Sequence, residues 1–273
     1  MKIIQSFCAS LVLALLPAAV SAHEFWLRAD PFNMPLPATV RLTMYVGERF
    51  EGEQVGFITS HAARFTHHVG GRVQDLRTRL PGAGALPEFV LRIAEPGTHL
   101  FAYDSQPSFV TLDAEKFHAY LQDEGLEHIA RQRAADGKAQ MPGRERYRRH
   151  VKTLLQVGAR GDATHARPIG QRLELIPATS PAQARAGATF AVRLLFDGQP
   201  LANALVKAWH RDGDRLTVLP ARTDVNGNAA FTLAHAGTWM ISTVHMVAAN
   251  EDQADWDSFW GNLTFAIPST SMQ

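Results

Sequence analysis

Apolar positions before residue 112 recur in short alternating runs that are separated by Gly and Pro. Three such runs are Thr39 to Val46, Phe89 to Ile93 and, after the Pro96-Gly97 turn, His99 to Tyr103. Alternation with a period of two places successive side chains on opposite faces of a strand, and Gly and Pro separate such strands. The pattern predicts an antiparallel β-sandwich domain over residues 23–112.

The periodicity changes at Asp113, after which apolar residues recur every three or four positions. Asp113 is a plausible N-terminal cap, and Gly125 is a plausible end of the helix. One face of this helix would carry Phe117, Tyr120 and Leu121. The pattern therefore predicts a helix that begins close to Asp113.

Two further segments have spacing typical of helices, and a linker follows them. Residues 126–135 and 144–155 each place apolar side chains on one face. Residues 158–170 contain Gly, Ala and Arg without an apolar period. We therefore predict a helical insert over residues 113–158 and assign residues 113–167 to the insert and linker.

Alternating strands return after the linker. The segments are Leu173 to Pro177, Thr189 to Phe196, Ala204 to Trp209, Ala229 to Leu233, Trp239 to Met246 and Leu263 to Ile267. Their spacing is typical of a β-sandwich of the immunoglobulin or transthyretin type. The predicted fold class is therefore mainly β, with two β-sandwich modules and a helical insert between them, the second module covering residues 168–273.

The first 22 residues have the three parts of a secretory signal peptide. Lys2 is a short basic region, Ile3 to Leu16 is apolar, and Val20-Ser21-Ala22 is a cleavage box. Ser6 and Ser10 interrupt the apolar run, so a membrane anchor is not expected. We predict that the signal peptide, residues 1–22, is removed and that the mature protein enters the periplasm without membrane insertion.

Composition excludes several classes of site and partner. Cys8, the only cysteine, lies in the predicted signal peptide, so a metal site of the mature chain must use nitrogen and oxygen ligands. Lys and Arg number 27 against 26 Asp and Glu, which gives no overall field that would attract nucleic acid. All 12 histidines follow the predicted cleavage point.

Cleavage after Ala22 would leave His23 as the first residue of the mature protein. Its free amine and its Nδ1 could then close a chelate ring on one metal ion. Two nitrogens from one residue favour nickel or copper, and both are freed of protons near neutral pH at modest cost. The alternative is that the residue after the cleavage point is incidental.

A terminal chelate needs further ligands, and three residues are candidates. His245 comes first because it lies at the end of a predicted strand before an acidic loop, and His99 is second because it begins a strand. Asp255, or Asp257 beside it, could accept a hydrogen bond from His245 and orient its ring. For both histidines the alternative is a hydrogen-bonded residue at a sheet edge, and for the acids it is helix capping.

Four ordered motifs resemble a bacterial family of domains of unknown function. They are His23-x-x-Trp26-Leu27, Phe117-x-x-Tyr120-Leu121-x-x-Glu124-Gly125-Leu126, Arg144-Glu145-Arg146-Tyr147-x-Arg149-x-x-Lys152 and Asp255-Trp256-Asp257-Ser258-Phe259-Trp260. That family is described as the periplasmic component of cobalt or nickel ABC uptake systems. The resemblance implies a periplasmic nickel or cobalt binder with His23 as a ligand, and an inner-membrane ABC transporter as partner.

The sequence therefore predicts a periplasmic protein that binds nickel, cobalt or copper and serves metal uptake or delivery. Two alternatives stay open. A terminal histidine joined by a second histidine is also the copper site of oxidative enzymes, which would make the chain an enzyme. A metal-free binding or scaffold module is the other alternative, because β-sandwiches commonly serve that role.

Overall fold

The computed structural model of the chain describes residues 23–269 and shows a mainly-β fold with two α-helices in that range. This confirms the predicted fold class. The predicted signal peptide, with Cys8, lies outside the described residues.

The described residues form 18 strands, two α-helices and four short 3-10 helices. The elements of the first half are β1 (Glu24–Asp30), β2 (Asn33–Met34), β3 (Ala38–Glu48), β4 (Glu51–Val55), β5 (Ala62–Val69), β6 (Arg72–Asp75), β7 (Phe89–Ile93), β8 (Gly97–Ser105), β9 (Ser108–Leu112), α1 (Ala114–Asp123) and α2 (Glu127–Ala135). Those of the second half are β10 (Gly143–Val157), β11 (Leu173–Pro177), β12 (Thr189–Phe196), β13 (Gln199–Pro200), β14 (Leu205–Asp212), β15 (Arg215–Arg222), β16 (Asn228–Thr232), β17 (Gly237–Glu251) and β18 (Ala254–Ile267).

The strands form one large sheet and two small ones. The large sheet has ten strands in the order β15-β14-β17-β18-β10-β8-β5-β6, and β2 and β9 also pair with β10. The first small sheet has the order β1-β3-β4, with β7 on β3. The second small sheet has the order β11-β12-β13, with β16 on β12.

The large sheet lies between the two small sheets and is shared by both sandwiches. Alternate residues of β8 enter different cores, because neighbouring side chains of a strand point to opposite faces. Phe101 and Tyr103 join the core beneath the first small sheet, whereas Leu100 and Ala102 join the core beneath the second. The fold therefore has three layers.

The helices pack on the same face of the large sheet as the first small sheet. Phe117, Tyr120 and Leu121 are the buried residues of α1, as the sequence predicts. They share a core with Trp256 and Trp260 of β18. The helical insert therefore covers a part of the sheet that the first small sheet leaves open.

The predicted helix over residues 144–155 is wrong, because this segment is part of the 15-residue strand β10. β10 pairs in parallel with β18 from Glu145↔Trp256 to Thr153↔Thr264. Its apolar residues matched a helical period, but both faces of the strand are covered. This segment is a strand because it pairs with residues more than 100 positions away, and local periodicity carries no information about that pairing.

The predicted linker is partly ordered by side-chain contacts. A short 3-10 helix spans Ala163–Ala166. The backbone N–H groups of Ile169 and Gly170 donate to the buried carboxylate of Glu174 at 2.7 and 2.9 Å. The domain boundaries drawn at residues 112 and 167 stay predictions. No helix within residues 23–269 is long and apolar enough to cross a membrane.

Candidate functional site

His23 lies where β1 begins, next to the end of β3. Glu24 pairs with Gly47 in the antiparallel ladder, and this register brings Glu48 beside His23. His23 Nδ1 lies 3.2 Å from Glu48 Oε1. Among residues 23–269 this nitrogen has no partner with hydrogen-bond geometry. One nitrogen and one carboxylate oxygen therefore converge where β1 begins and β3 ends.

Glu48 also borders an acidic cleft of about 370 Å³. The other acids that line it are Glu24, Asp123 and Glu124. Arg49 and Lys207 also line the cleft and neutralise part of this charge, and Lys207 donates to Glu124 at 2.9 Å. Burial, and then the nearby charge of Glu124, raises the pKa of Glu24 to about 7. Within the described part of the chain, Glu24 Oε2 has no hydrogen-bond partner. Carboxylate-rich clefts of this kind suit cations.

His99 is buried and lies in a different environment. Its Nδ1 is 2.8 Å from His67 Nε2, and its Nε2 is 3.1 Å from the carbonyl oxygen of Glu95. Burial lowers the pKa of His99. It also lowers the pKa of His67 to about 3, and the neighbouring His99 contributes. Both ring nitrogens of His99 are thus in hydrogen bonds.

His245 lies on the opposite side of the large sheet from β1. Its ring centroid is 4.5 Å from that of Phe196 in β12 and 6.3 Å from that of His128 in α2. Burial, followed by the charge of His128, lowers the pKa of His245 to about 4. The structure therefore does not bring His245 to His23.

Asp255 and Asp257 pair with arginines of β10. Asp255 accepts from Arg144 at 2.9 and 3.1 Å, and Asp257 Oδ2 accepts from Arg146 at 2.6 Å. Glu251 also accepts from Arg146. Charge-assisted pairs of this geometry are among the strong hydrogen bonds of proteins. Asp255 and Asp257 therefore tie β18 to β10, and Glu251 ties the end of β17 to β10.

The structure places the four predicted metal residues, His23, His245, His99 and Asp255, in separate surroundings. Within residues 23–269, no group of three or more His, Cys, Asp or Glu side chains could hold a metal ion. The residue that sequence reasoning missed is Glu48. Glu48 could be found only from the pairing register of β1 on β3, and no local sequence motif determines that register.

Comparisons with known proteins identify a family but no function. A family model described as a domain of unknown function, DUF4198, matches residues 20–247. No curated protein matches the chain. The crystal structure of dimeric latent PorU from Porphyromonas gingivalis is 12% identical with a TM-score of 0.19. That match covers 92% of this chain and 21% of PorU, and its TM-score is too low to support an argument.

Proposed function

The chain belongs to the DUF4198 family, and on that premise we propose that it is an exported binder of a transition metal ion, held at the N-terminal end of the mature protein. The ligands are the amine and Nδ1 of His23 together with the carboxylate of Glu48. The observation that carries the proposal is the 3.2 Å distance between His23 Nδ1 and Glu48 Oε1.

The residues at this place fit a nickel, cobalt or copper ion. An imidazole nitrogen that lacks a hydrogen-bond partner within residues 23–269 is free to accept a metal. A carboxylate beside it lowers the energy of a bound cation. Nitrogen ligands favour nickel and copper over magnesium or calcium, while the oxygen ligand is tolerated by all of them. The bound ion would supply a positive charge that offsets the acids of the cleft.

This ligand set suits capture and release better than permanent retention. The Glu48 side chain is 54% exposed, whereas Nδ1 of His23 is shielded from solvent, so a bound ion would be reachable from the side of Glu48. The resemblance described above implies a periplasmic role in cobalt or nickel uptake. We therefore propose delivery to an inner-membrane ABC transporter as the role of the site, with the periplasm as its location.

The direct test is calorimetric titration of the processed protein, which begins at His23, with nickel, cobalt and copper. We expect one ion per chain. A chain extended by one pyroglutamate residue has no free amine, so it should bind at least about 10- to 100-fold more weakly, the range that even outer-shell changes cause at metal sites. The His23→Ala variant should bind more weakly still.

Two matched variants separate the local carboxylate from general charge. Glu48→Gln removes a ligand, whereas Glu53→Gln removes an exposed acid of the neighbouring strand β4. We expect weaker binding in the first and wild-type binding in the second. Equal affinity of processed and extended protein would contradict the terminal chelate, and absence of stoichiometric uptake would favour a metal-free scaffold.

A further inference from the structure

A second cavity lies between the first small sheet and the large sheet, away from the acidic cleft. Its volume is about 510 Å³, which is within the range of small-molecule sites. Its apolar wall includes Phe25 of β1, Met44 and Val46 of β3, and Val55 of β4. The wall across from them contains polar groups, among them Arg149 of β10.

Arg149 is held in one orientation by aromatic rings. Its guanidinium carbon lies 4.8 Å from the ring centroid of Phe25 and 4.9 Å from that of Tyr147. The backbone N–H of Arg149 donates to Ser105 Oγ at 3.0 Å, which fixes this part of β10. Stacking uses the faces of the planar guanidinium, so the edge N–H groups that Tyr147 does not engage can donate to an acceptor.

No acid of the described residues forms an ion pair with Arg149, although the carboxylate of Glu145 on the same strand acts on its charge from farther away. Among residues 23–269, no carboxylate lies within 4.0 Å of its guanidinium, whereas Arg144 and Arg146 on the same strand both pair with acids of β18. The side chain is partly buried, and burial is the main cause that lowers its pKa. Arginine nevertheless stays charged in proteins. A partly buried cation without a counter-ion favours an anionic ligand.

We propose that this cavity binds a small organic carboxylate with an apolar body. The carboxylate would accept two parallel hydrogen bonds from the edge of Arg149, and the body would contact Met44, Val46 and Val55. Tyr103 and Tyr147, which also line the cavity, offer hydroxyl groups near the same wall. The proposal is independent of the metal site.

Arg149 is the one lysine or arginine that lines the cavity, beside His61 and neutral polar side chains, and this favours a monocarboxylate over a phosphate. A phosphate group carries about 1.5 to 2 negative charges and three acceptor oxygens, so it is best served by several basic groups. One planar guanidinium matches one carboxylate in bidentate geometry. The apolar wall then requires an organic ligand, because inorganic anions gain nothing from it.

The test uses phenylacetate and its neutral isostere phenylacetamide, with the mature protein in the presence of a metal chelator. Ligand-observed NMR and calorimetry measure the dissociation constants. Acetate and 3-phenylpropionate complete the series and report on the apolar wall. We expect phenylacetate to bind about 10- to 100-fold more tightly than phenylacetamide, as one charge-assisted pair allows. Acetate should bind more weakly than phenylacetate.

Two variants locate the site. Arg149→Gln should lose the preference for the carboxylate, while Arg148→Gln, whose side chain reaches Asp257 at 3.4 Å, should keep it. Val55→Trp fills the cavity without changing a charge and should weaken every ligand of the series. Thermal melting by circular dichroism shows whether each variant is folded.

Four results would overturn the proposal. They are failure of all three carboxylates to bind with a dissociation constant of about 10 mM or less, equal binding of phenylacetate and phenylacetamide, an unchanged preference for the carboxylate in folded Arg149→Gln, and unchanged binding in folded Val55→Trp. The His23→Ala variant should bind phenylacetate as the wild type does. Failure of metal binding and failure of carboxylate binding are therefore distinguishable.

Discussion

Glu145 is a carboxylic acid that the fold encloses among aromatic residues. Its Oε1 lies 3.5 Å from the hydroxyl of Tyr120 and also accepts from Ser258. Burial raises the pKa of Glu145 to about 7. The folded protein thus keeps a proton on this group at pH values where the unfolded chain, with a pKa near 4.5, has lost it.

This shift predicts a pH-dependent difference between the wild type and Glu145→Gln. The raised pKa lowers the stability of the wild type progressively as the pH rises from 4.5 to 7, by up to about 3 kcal/mol. Glutamine does not ionise, so the variant should gain stability relative to the wild type over that window. Urea unfolding at pH values between 5 and 8 measures the effect.

The control for this prediction is Glu115→Gln, which changes an exposed acid of α1. The free energy of unfolding of this variant should differ from that of the wild type by a small amount that does not change with pH. If the difference in the free energy of unfolding between the wild type and Glu145→Gln does not change with pH, the fold does not raise the pKa of the buried carboxyl group.

The candidate site shows what could be predicted at the residue scale. His23 could be proposed as a ligand because a cleavage box is a local pattern, and cleavage there would give the residue after it a second nitrogen for a metal ion. Glu48 could not be identified, because its position depends on the register of β1 on β3. Arg149 was part of a recognised motif, but only the fold places it between Phe25 and Tyr147.

At the scale of elements, β10 joins the layers through an ion pair as well as through its ladders. Lys152 Nζ lies 2.6 Å from Glu174 Oε1, and both side chains are 2% exposed. Glu174 also accepts from the backbone of the ordered linker, at Ile169 and Gly170. One carboxylate therefore holds β10, β11 and the linker together.

Breaking this pair on one side should be strongly destabilising. Glu174→Gln leaves the buried Lys152 without a counter-ion, so we expect a loss of about 3 to 5 kcal/mol in the free energy of unfolding. Lys152→Met combined with Glu174→Gln should recover part of that loss, because no unpaired charge is left. Urea unfolding of both single variants and the double variant measures the coupling.

An exposed pair serves as the comparison. Asp197 accepts from Arg172 at 2.7 and 2.8 Å, yet these side chains are 49% and 46% exposed. Asp197→Asn should lower the free energy of unfolding by no more than about 1 kcal/mol, because solvent screens exposed pairs. A similar cost for Asp197→Asn and Glu174→Gln would show that burial does not set the strength of the Lys152 pair.

The strand β10 also shows the limit of sequence periodicity. Alternate side chains from Arg144 to Lys152 face acids that lie on β18, on β8 or next to the linker. A run rich in arginine therefore looks like a solvated helix face when its partners are not known. The helices α1 and α2 could be predicted because the apolar residues of their buried faces recur every three to four positions in the sequence.

For the whole molecule, the main consequence of the fold is that the two sandwiches share one sheet. The ten strands of the large sheet come from all three predicted regions: β2, β5, β6, β8 and β9 from residues 23–112, β10 from residues 113–167, and β14, β15, β17 and β18 from residues 168–273. β10 pairs with β8 on one side and with β18 on the other. Neither sandwich is complete without it.

We therefore predict that the mature chain unfolds in one cooperative step and that residues 168–273 do not fold alone. A fragment of residues 143–273 restores β10 next to β18, and should show more dispersed amide NMR signals and slower hydrogen exchange than residues 168–273. Calorimetry of the whole chain should give one transition with equal calorimetric and van't Hoff enthalpies. Two separated transitions, or a fragment of residues 168–273 as stable as the whole chain, would mean that the shared sheet transmits no cooperativity between the sandwiches.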